Sequence, residues 1–255
     1  MLPECYSEAH RSDLAKVGAR VPAAREFILS FNPALGTAEN AQAAFSDRWY
    51  GNASADVCTK LTGHFNFLFN RFPGQLALLS RFIRSAESAS FPVVNHFYLV
   101  LADPYYRWTA SDYLPVRVDT LRQEIAVTPL EHELRSRLPA SFTTATVNRY
   151  ARNLLTSLRD NGFLTGKAKK AIASPAISVR CLAYMLYALS DCGVGANEFD
   201  GSPVHRSLLK PRELLAPLYQ EGERLSYWDS TGDRKRLGAR LRFSGLAAWM
   251  EAAGL

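Results

Sequence analysis

Residues 145–161 constrain this chain more than any other segment. At about 100° per residue, Val147, Ala151, Leu154, Leu155 and Leu158 share one helical face with Tyr150 at its edge, while Arg149, Arg152, Thr156 and Arg159 share the opposite face. Residues 141–144 are a cluster of potential N-caps and Gly162 supplies a C-terminal cap, so both ends of the helix are marked. Such a helix must bury one side in a core that other elements provide, and it must leave a row of guanidinium groups facing outward. Phe163 and Leu164 follow, then a polar turn with Gly166, Lys167, Lys169 and Lys170, then residues 171–177, a pattern that predicts a small strand pair with a basic tip.

The partners for that helix are mostly helical. Leu61, Phe65, Leu68, Phe69 and Phe72 recur at helical spacing, Pro73 and Gly74 interrupt, and Leu76, Leu79, Phe82 and Ile83 resume, which predicts a pair of amphipathic helices. The aromatic stripe reads as bundle core, with Asn66, Asn70 and Arg71 on its wet side; base stacking by exposed aromatics is the alternative. Pro3, Pro22, Pro33 and Gly36 divide residues 1–46 into two brief helices with turns. An apolar run at 93–102 is broken by Asp103-Pro104, after which Ser111 or Asp112 is placed to cap a further short helix. Residues 120–138 read as a polar connecting helix interrupted near Pro129 and ended by Pro139. Beyond the first hairpin come an apolar helix at 179–189, a Gly- and Asp-rich loop, and a helix at 211–221 with Pro211 in its first turn. A second hairpin follows, with residues 224–229 and 235–243 flanking the turn Ser230-Thr231-Gly232-Asp233. The expected fold is mainly α, with a helical-bundle domain over residues 1–122 and a winged-helix-type domain with small β-hairpins over 123–255.

Charge narrows the partners. The chain has 30 Lys and Arg against 24 Asp and Glu, a formal net charge of +6. Residues 140–180 alone carry seven basic side chains against Asp160, so the whole excess is matched by this one segment. Concentrated positive charge favours anionic partners, nucleic acid above all. Cys5, Cys58, Cys181 and Cys192 are scattered without C-x-x-C pairing, and the amino terminus lacks the layout of a signal peptide, which together predict a reducing, cytoplasmic setting. Apolar runs are far short of the roughly 20 residues of a membrane span, so no membrane is expected.

A winged helix sets one helix in the major groove and lets a basic hairpin follow the adjacent backbone. The chain offers that pattern twice. In one version the helix at 145–161 inserts, with Arg149, Arg152, Asn153 and Arg159 reaching DNA and Lys167, Lys169 and Lys170 on the wing. In the other the helix at 211–221 precedes a wing of Arg234, Lys235, Arg236, Arg240 and Arg242. The bland reading of either is a solvated helix face and a charged surface hairpin. Catalytic chemistry has no local signature: Cys181, Cys192 and His205 lack zinc spacing, Gly193-Val194-Gly195 lacks a third glycine and a strand-to-helix context, and His64, His96 and His132 stand alone. The expectation is a protein without catalytic residues, metal or cofactor.

The run Thr146-x-x-Arg149-x-x-Arg152-Asn153-Leu154-Leu155-x-x-Leu158-Arg159-Asp160-x-Gly162-Phe163-Leu164-x-Gly166-x-x-x-Lys170-x-Ile172-x-x-Pro175, followed by the helix with Tyr184 and Leu186, resembles the BrxA family (the DUF1819 group) of bacterial BREX phage-defence systems. The match is best over residues 140–190, and His96-Phe97 through Asp103-Pro104-Tyr105-Tyr106-Arg107 is similar in character. The resemblance implies a non-catalytic component that binds double-stranded DNA, in which a helical domain similar to the antitermination factor NusB precedes a winged helix. It also implies other proteins of the defence system as partners. The rival reading is a scaffold whose winged helix binds protein and leaves DNA untouched.

Overall fold

The computed structural model describes residue 6 and residues 17–72, 74–119, 124–167, 169–231 and 237–255. Over these the protein is mainly helical, with two small antiparallel sheets. The first half contains α1 (Val21–Ser30), α2 (Thr37–Ser46), α3 (Ala55–Phe69), α4 (Gln75–Arg84), α5 (Phe91–Ala102), α6 (Pro104–Trp108), a π-helical turn at Thr109–Tyr113 and α7 (Leu114–Asp119). The second half contains β1 (Glu124–Ile125), α8 (Val127–Arg135), α9 (Thr144–Asp160), β2 (Leu164–Thr165), β3 (Lys170–Ile172), α10 (Val179–Asp191), α11 (Pro203–Ser207), α12 (Arg212–Arg224), β4 (Trp228–Ser230), β5 (Ala239–Leu241) and α13 (Leu246–Ala252).

α5 is the axis of the molecule. From Val93 to Ala102 every side chain is buried, the behaviour of a helix apolar on all sides and surrounded by others. α1, α3, α10 and α11 all pack on it. Its C-terminal carbonyls, which have no partner within the helix, are met by the buried Arg107, whose Nη1 donates to Val100 O at 3.1 Å and Leu101 O at 3.0 Å. Asp103 Oδ1 accepts from Tyr105 N and Tyr106 N and so starts α6 at once. The apolar core is continuous from Tyr6 to Met250 and crosses the expected boundary at residue 122 without a break.

A chain of buried hydrogen bonds ties the halves together. His96 Nδ1 lies 2.8 Å from Tyr106 Oη, and His96 Nε2 lies 2.9 Å from Ser207 Oγ. Ser207 Oγ already donates to Val204 O, so it accepts from the imidazole, which must carry its proton on Nε2. Nδ1 therefore accepts from Tyr106, whose oxygen accepts from Asn161 Nδ2 at 3.2 Å. Asn161 Oδ1 in turn accepts from Asn95 Nδ2 at 2.9 Å. All five donors point the same way along the chain, a polarised arrangement in which each bond strengthens the next. The ring of Phe163 stacks on His96 at 3.8 Å between centroids.

Several expectations are corrected here. Residues 104–119 form one helical run in which the π-turn replaces a new start at Ser111 or Asp112. Of the connecting helix expected at 120–138, residues 120–123 lie outside the described residues and the rest gives way to strand β1 and the shorter α8, with Pro129 in the first turn of α8, where its missing N–H costs nothing. Pro22 likewise lies inside the first turn of α1. The aromatic stripe is core as expected, with Phe65, Phe69 and Phe72 buried, and Asn66, Asn70 and Arg71 lie on its outer side, where Asn66 donates to Thr37 Oγ1 at 2.7 Å in an exposed bond. Pro3, Cys5 and Pro73 lie outside the described residues.

Burial pushes the His96 imidazole down to about 3. Between that value and the unfolded value near 6.5, the unfolded chain holds one more proton than the native one, so stability rises with pH across this window and is level above it. Urea unfolding at pH 7, 6 and 5 is expected to show His96→Gln losing about 1.4 kcal/mol less than the wild type per pH unit below 6.5. Parallel pH profiles for the two proteins would remove His96 as the cause.

Candidate nucleic-acid interface

α9 forms because its sequence satisfies both of its faces. Thr143 Oγ1 accepts from Thr146 N at 3.2 Å as N-cap, and Val147, Ala151, Leu154, Leu155 and Leu158 are fully buried. α8 fixes the approach: Asn148 Nδ2 donates to Glu131 Oε2 at 2.7 Å, and Arg135 donates to Phe142 O at 2.8 Å and Thr144 Oγ1 at 2.7 Å. Ala19 N donates to Ser157 Oγ and anchors the far end to the first half. With α9 held on three sides, Arg149 and Arg152 face solvent, while Asn153 and Arg159 are half-buried. Arg159 closes on its neighbour, donating through Nε and Nη2 to Asp160 Oδ1 at 3.0 and 2.7 Å.

The first hairpin sits directly beside this face. β3 pairs with both β1 and β2 in the order β1–β3–β2, with Leu164 opposite Ile172 and Ile125 opposite Lys170. The turn depends on Gly166, whose φ is +83° and where a Cβ would lie 2.1 Å from Lys169 O. Lys167 and Lys169 are exposed at the tip. Lys170 is different: only 7% exposed, it turns its ammonium inward to donate to Lys167 O at 2.9 Å. Burial, then the charges of Arg159 and Arg152, hold its pKa below the ordinary lysine value. Lys170 is therefore a brace for the turn, and it lies near enough to Arg152 and Arg159 to feel their charges.

The second hairpin has other commitments. Asp229 Oδ1 accepts from Arg242 Nε at 2.9 Å and Nη2 at 2.5 Å, and Asp229 Oδ2 accepts from Arg240 Nη2 at 3.3 Å. These bonds, Arg242's first, hold the Asp229 carboxyl below its usual range. Arg234, Lys235 and Arg236 lie outside the described residues. The preceding helix α12 exposes Glu213, Leu214 and Glu223, and Arg224 pairs with Glu221 at 2.7 Å, so the face it offers is poorly matched to phosphate. Trp228 packs over Gly222, where a Cβ would fall 1.9 Å from the indole, and donates to Tyr219 O at 3.0 Å. Its strand pair serves as a lid on α10 and α12: Tyr187 Oη donates to Tyr227 O and accepts from Arg242 N.

Among the sequence-predicted residues, the structure exposes Arg149 and Arg152 on α9 and Lys167 and Lys169 at the hairpin tip, turns Lys170 inward, pairs Arg159 with Asp160, and ties Arg240 and Arg242 to an acid. Reading the sequence missed Asp229 as their partner, although it stands opposite Arg240 in the strand register. It also missed β1, whose two residues complete the three-stranded sheet. Among the described residues no group of three or more His, Cys, Asp or Glu is placed to hold a metal ion.

Lys170→Ala is expected to cost about 1–2 kcal/mol, because it leaves the Lys167 carbonyl without its donor, whereas Lys167→Ala should stay within about 0.5 kcal/mol. Chemical denaturation of the two variants checks this, and equal stability would show that the Lys170 bond is not structural. Compared with family models, curated proteins and solved structures, the chain matches none.

Proposed function

We propose that the protein binds duplex DNA through a winged helix built from β1, α8, α9, β2 and β3. In this reading α9 lies in the major groove and the β2–β3 hairpin follows the neighbouring phosphates. The observation that carries it is the joint placement of exposed Arg149 and Arg152 on α9 with exposed Lys167 and Lys169 on the hairpin that follows at once. The strand order β1–β3–β2, with two helices between β1 and β2, is the arrangement such a module requires. Lys and Arg on a helix face and hairpin tip suit phosphates first, so affinity should be strongly salt-dependent and sequence preference weak. The second hairpin is not the wing in this reading, because Asp229 offsets the charge of Arg240 and Arg242.

The resemblance to the BrxA family adds a setting: a non-catalytic DNA-binding component of a BREX antiphage system, cytoplasmic, with other proteins of that system as partners. The NusB-like helical domain over residues 1–122 and the winged-helix domain over 123–255 belong to the same proposal, and the continuous core would make them one packed unit.

The test is binding to a random-sequence duplex across a salt series. The wild type should show log K falling linearly with log salt. The double change Lys167→Ala, Lys169→Ala should lower that slope by about two, since each phosphate contact contributes about 0.9. Arg149→Ala with Arg152→Ala should weaken binding at every salt concentration, while Arg240→Ala with Arg242→Ala should leave the slope unchanged. Absence of wild-type binding at low salt would defeat the proposal and leave the protein-scaffold reading in its place.

A further inference from the structure

A groove of about 500 Å³ opens between the π-turn, α7 and α8. Its size is within the range of small-molecule sites. Trp108, Tyr113, Val116, Arg117, Glu133 and Arg137 form its walls, with Asp112 at the edge. Three independent features set it apart from an ordinary surface cleft.

The first is the backbone. Thr109–Tyr113 is a π-helical turn, closed by Leu114 N donating to Thr109 O. Such turns are rare and occur mostly where a site needs side chains re-aimed. Here the wider turn lies between Trp108 and Tyr113, whose rings meet at 5.6 Å and share the groove. Arg206 Nε donates to Ser111 O at 3.1 Å and so satisfies a carbonyl within the turn.

The second feature is the pairing of aromatic and guanidinium planes. The Arg117 guanidinium lies 3.3 Å from the Tyr113 centroid, and that of Arg137 lies 4.2 Å from the Trp108 centroid. Planar cations on rings form platforms to which a further flat, electron-rich ring can be added.

The third is how the charges are spent. Arg117 Nη2 donates to Glu133 Oε1 at 2.8 Å, and Arg206 pairs with Asp112 at 3.2 Å. Arg137 is exposed and, among the described residues, has no acidic partner. One cation is left open for an anion, and Glu133 Oε2 is left to accept from an amine on a ring edge. Val116, 58% exposed, adds an apolar rim.

We propose that this groove binds a nucleoside phosphate, with the base stacked on the Trp108–Arg137 platform and the phosphate accepting from the N–H edge of Arg137. The ligand chemistry is shared by a free mononucleotide and by an unpaired nucleotide of a strand. The site goes beyond the duplex-binding reading; it shares α8 with that module but none of the arginines and lysines assigned to DNA, so either can fail without the other.

Isothermal titration of the full chain, with no duplex present, tests it using nucleoside 5′-monophosphates, the matching nucleosides, inorganic phosphate and a short single-stranded oligonucleotide. Monophosphates should bind more tightly than either part alone and should quench tryptophan fluorescence. Of the four tryptophans, Trp228 and Trp249 are buried, and Trp108→Phe should remove the quench. Arg137→Ala should weaken monophosphates by about tenfold, and Arg137→Lys, which keeps the charge and loses the plane, should weaken them less. Melting curves establish that each variant is folded; Arg137 is exposed and its loss removes no core contact. Tighter binding of the oligonucleotide that is lost in the same variants would identify a strand as the source, and weaker binding a free nucleotide. No heat and no quench at about 1 mM ligand would overturn the proposal, as would phosphate binding as well as the nucleotides, or an Arg137→Ala protein that binds like the wild type.

Discussion

A neutral imidazole at the middle of the molecule sets the positions of nearly everything else. His96 is wholly buried, takes a proton-ordered bond from Tyr106 and gives one to Ser207, and each of those residues lies on a different helix. Through Tyr106 the chain reaches Asn161, the residue that ends α9, and through Asn161 it returns to Asn95 on α5. The end of the arginine-bearing helix is thus fixed by the same network that holds the first half together. Polar groups at this depth are costly unless satisfied, so the arrangement favours one registration of α9 against α5 over neighbouring ones. A shift of α9 by one turn would strand several donors at once.

That rigidity matters for a surface whose effect depends on charge spacing. Arg149 and Arg152 stand one turn apart, and the hairpin tip is held by Gly166 and by the inward-turned Lys170. Lys170 lies in the field of Arg152 and Arg159, which the Lys167 carbonyl and the charge of Asp160 offset only in part, so like charges have been brought together at a cost to stability. Arg159 is relieved by Asp160, whereas Arg149, Arg152 and Lys167 have no ion pair among the described residues. A polyanion that neutralises this surface would recover part of the repulsion on binding.

Much of this was legible in the sequence where local rules coincide. Residues 145–161 carry periodicity, cap signals and charge segregation in one run, and α9 appears within a residue of those bounds. The same holds for the apolar helix at 179–189, which continues to Asp191. What could not be read depends on distant partners. Lys170 looks like its neighbours Lys167 and Lys169 in a linear text; only strand alternation, which turns successive residues to opposite faces, sends it inward. β1 is too short to give a periodic signal and exists because β3 offers it an edge. The π-turn has no local signature at all, since it arises where Arg206, ninety-five residues away from Ser111, supplies a donor to its backbone.

The two hairpins show why basic residues alone do not define an interface. Both carry arginines or lysines beside a tight turn, and both follow a helix. In the first, the residue facing the helix arginines is another cation, so the positive potential accumulates. In the second, Asp229 occupies the strand position opposite Arg240 and gathers Arg242 as well, so the potential is cancelled where it arises. The second sheet also closes over Trp228, Tyr187 and Trp249, large rings that would otherwise meet water. Its arginines hold a cover in place, and the difference between the two hairpins lies in one acidic residue and in what each has beneath it.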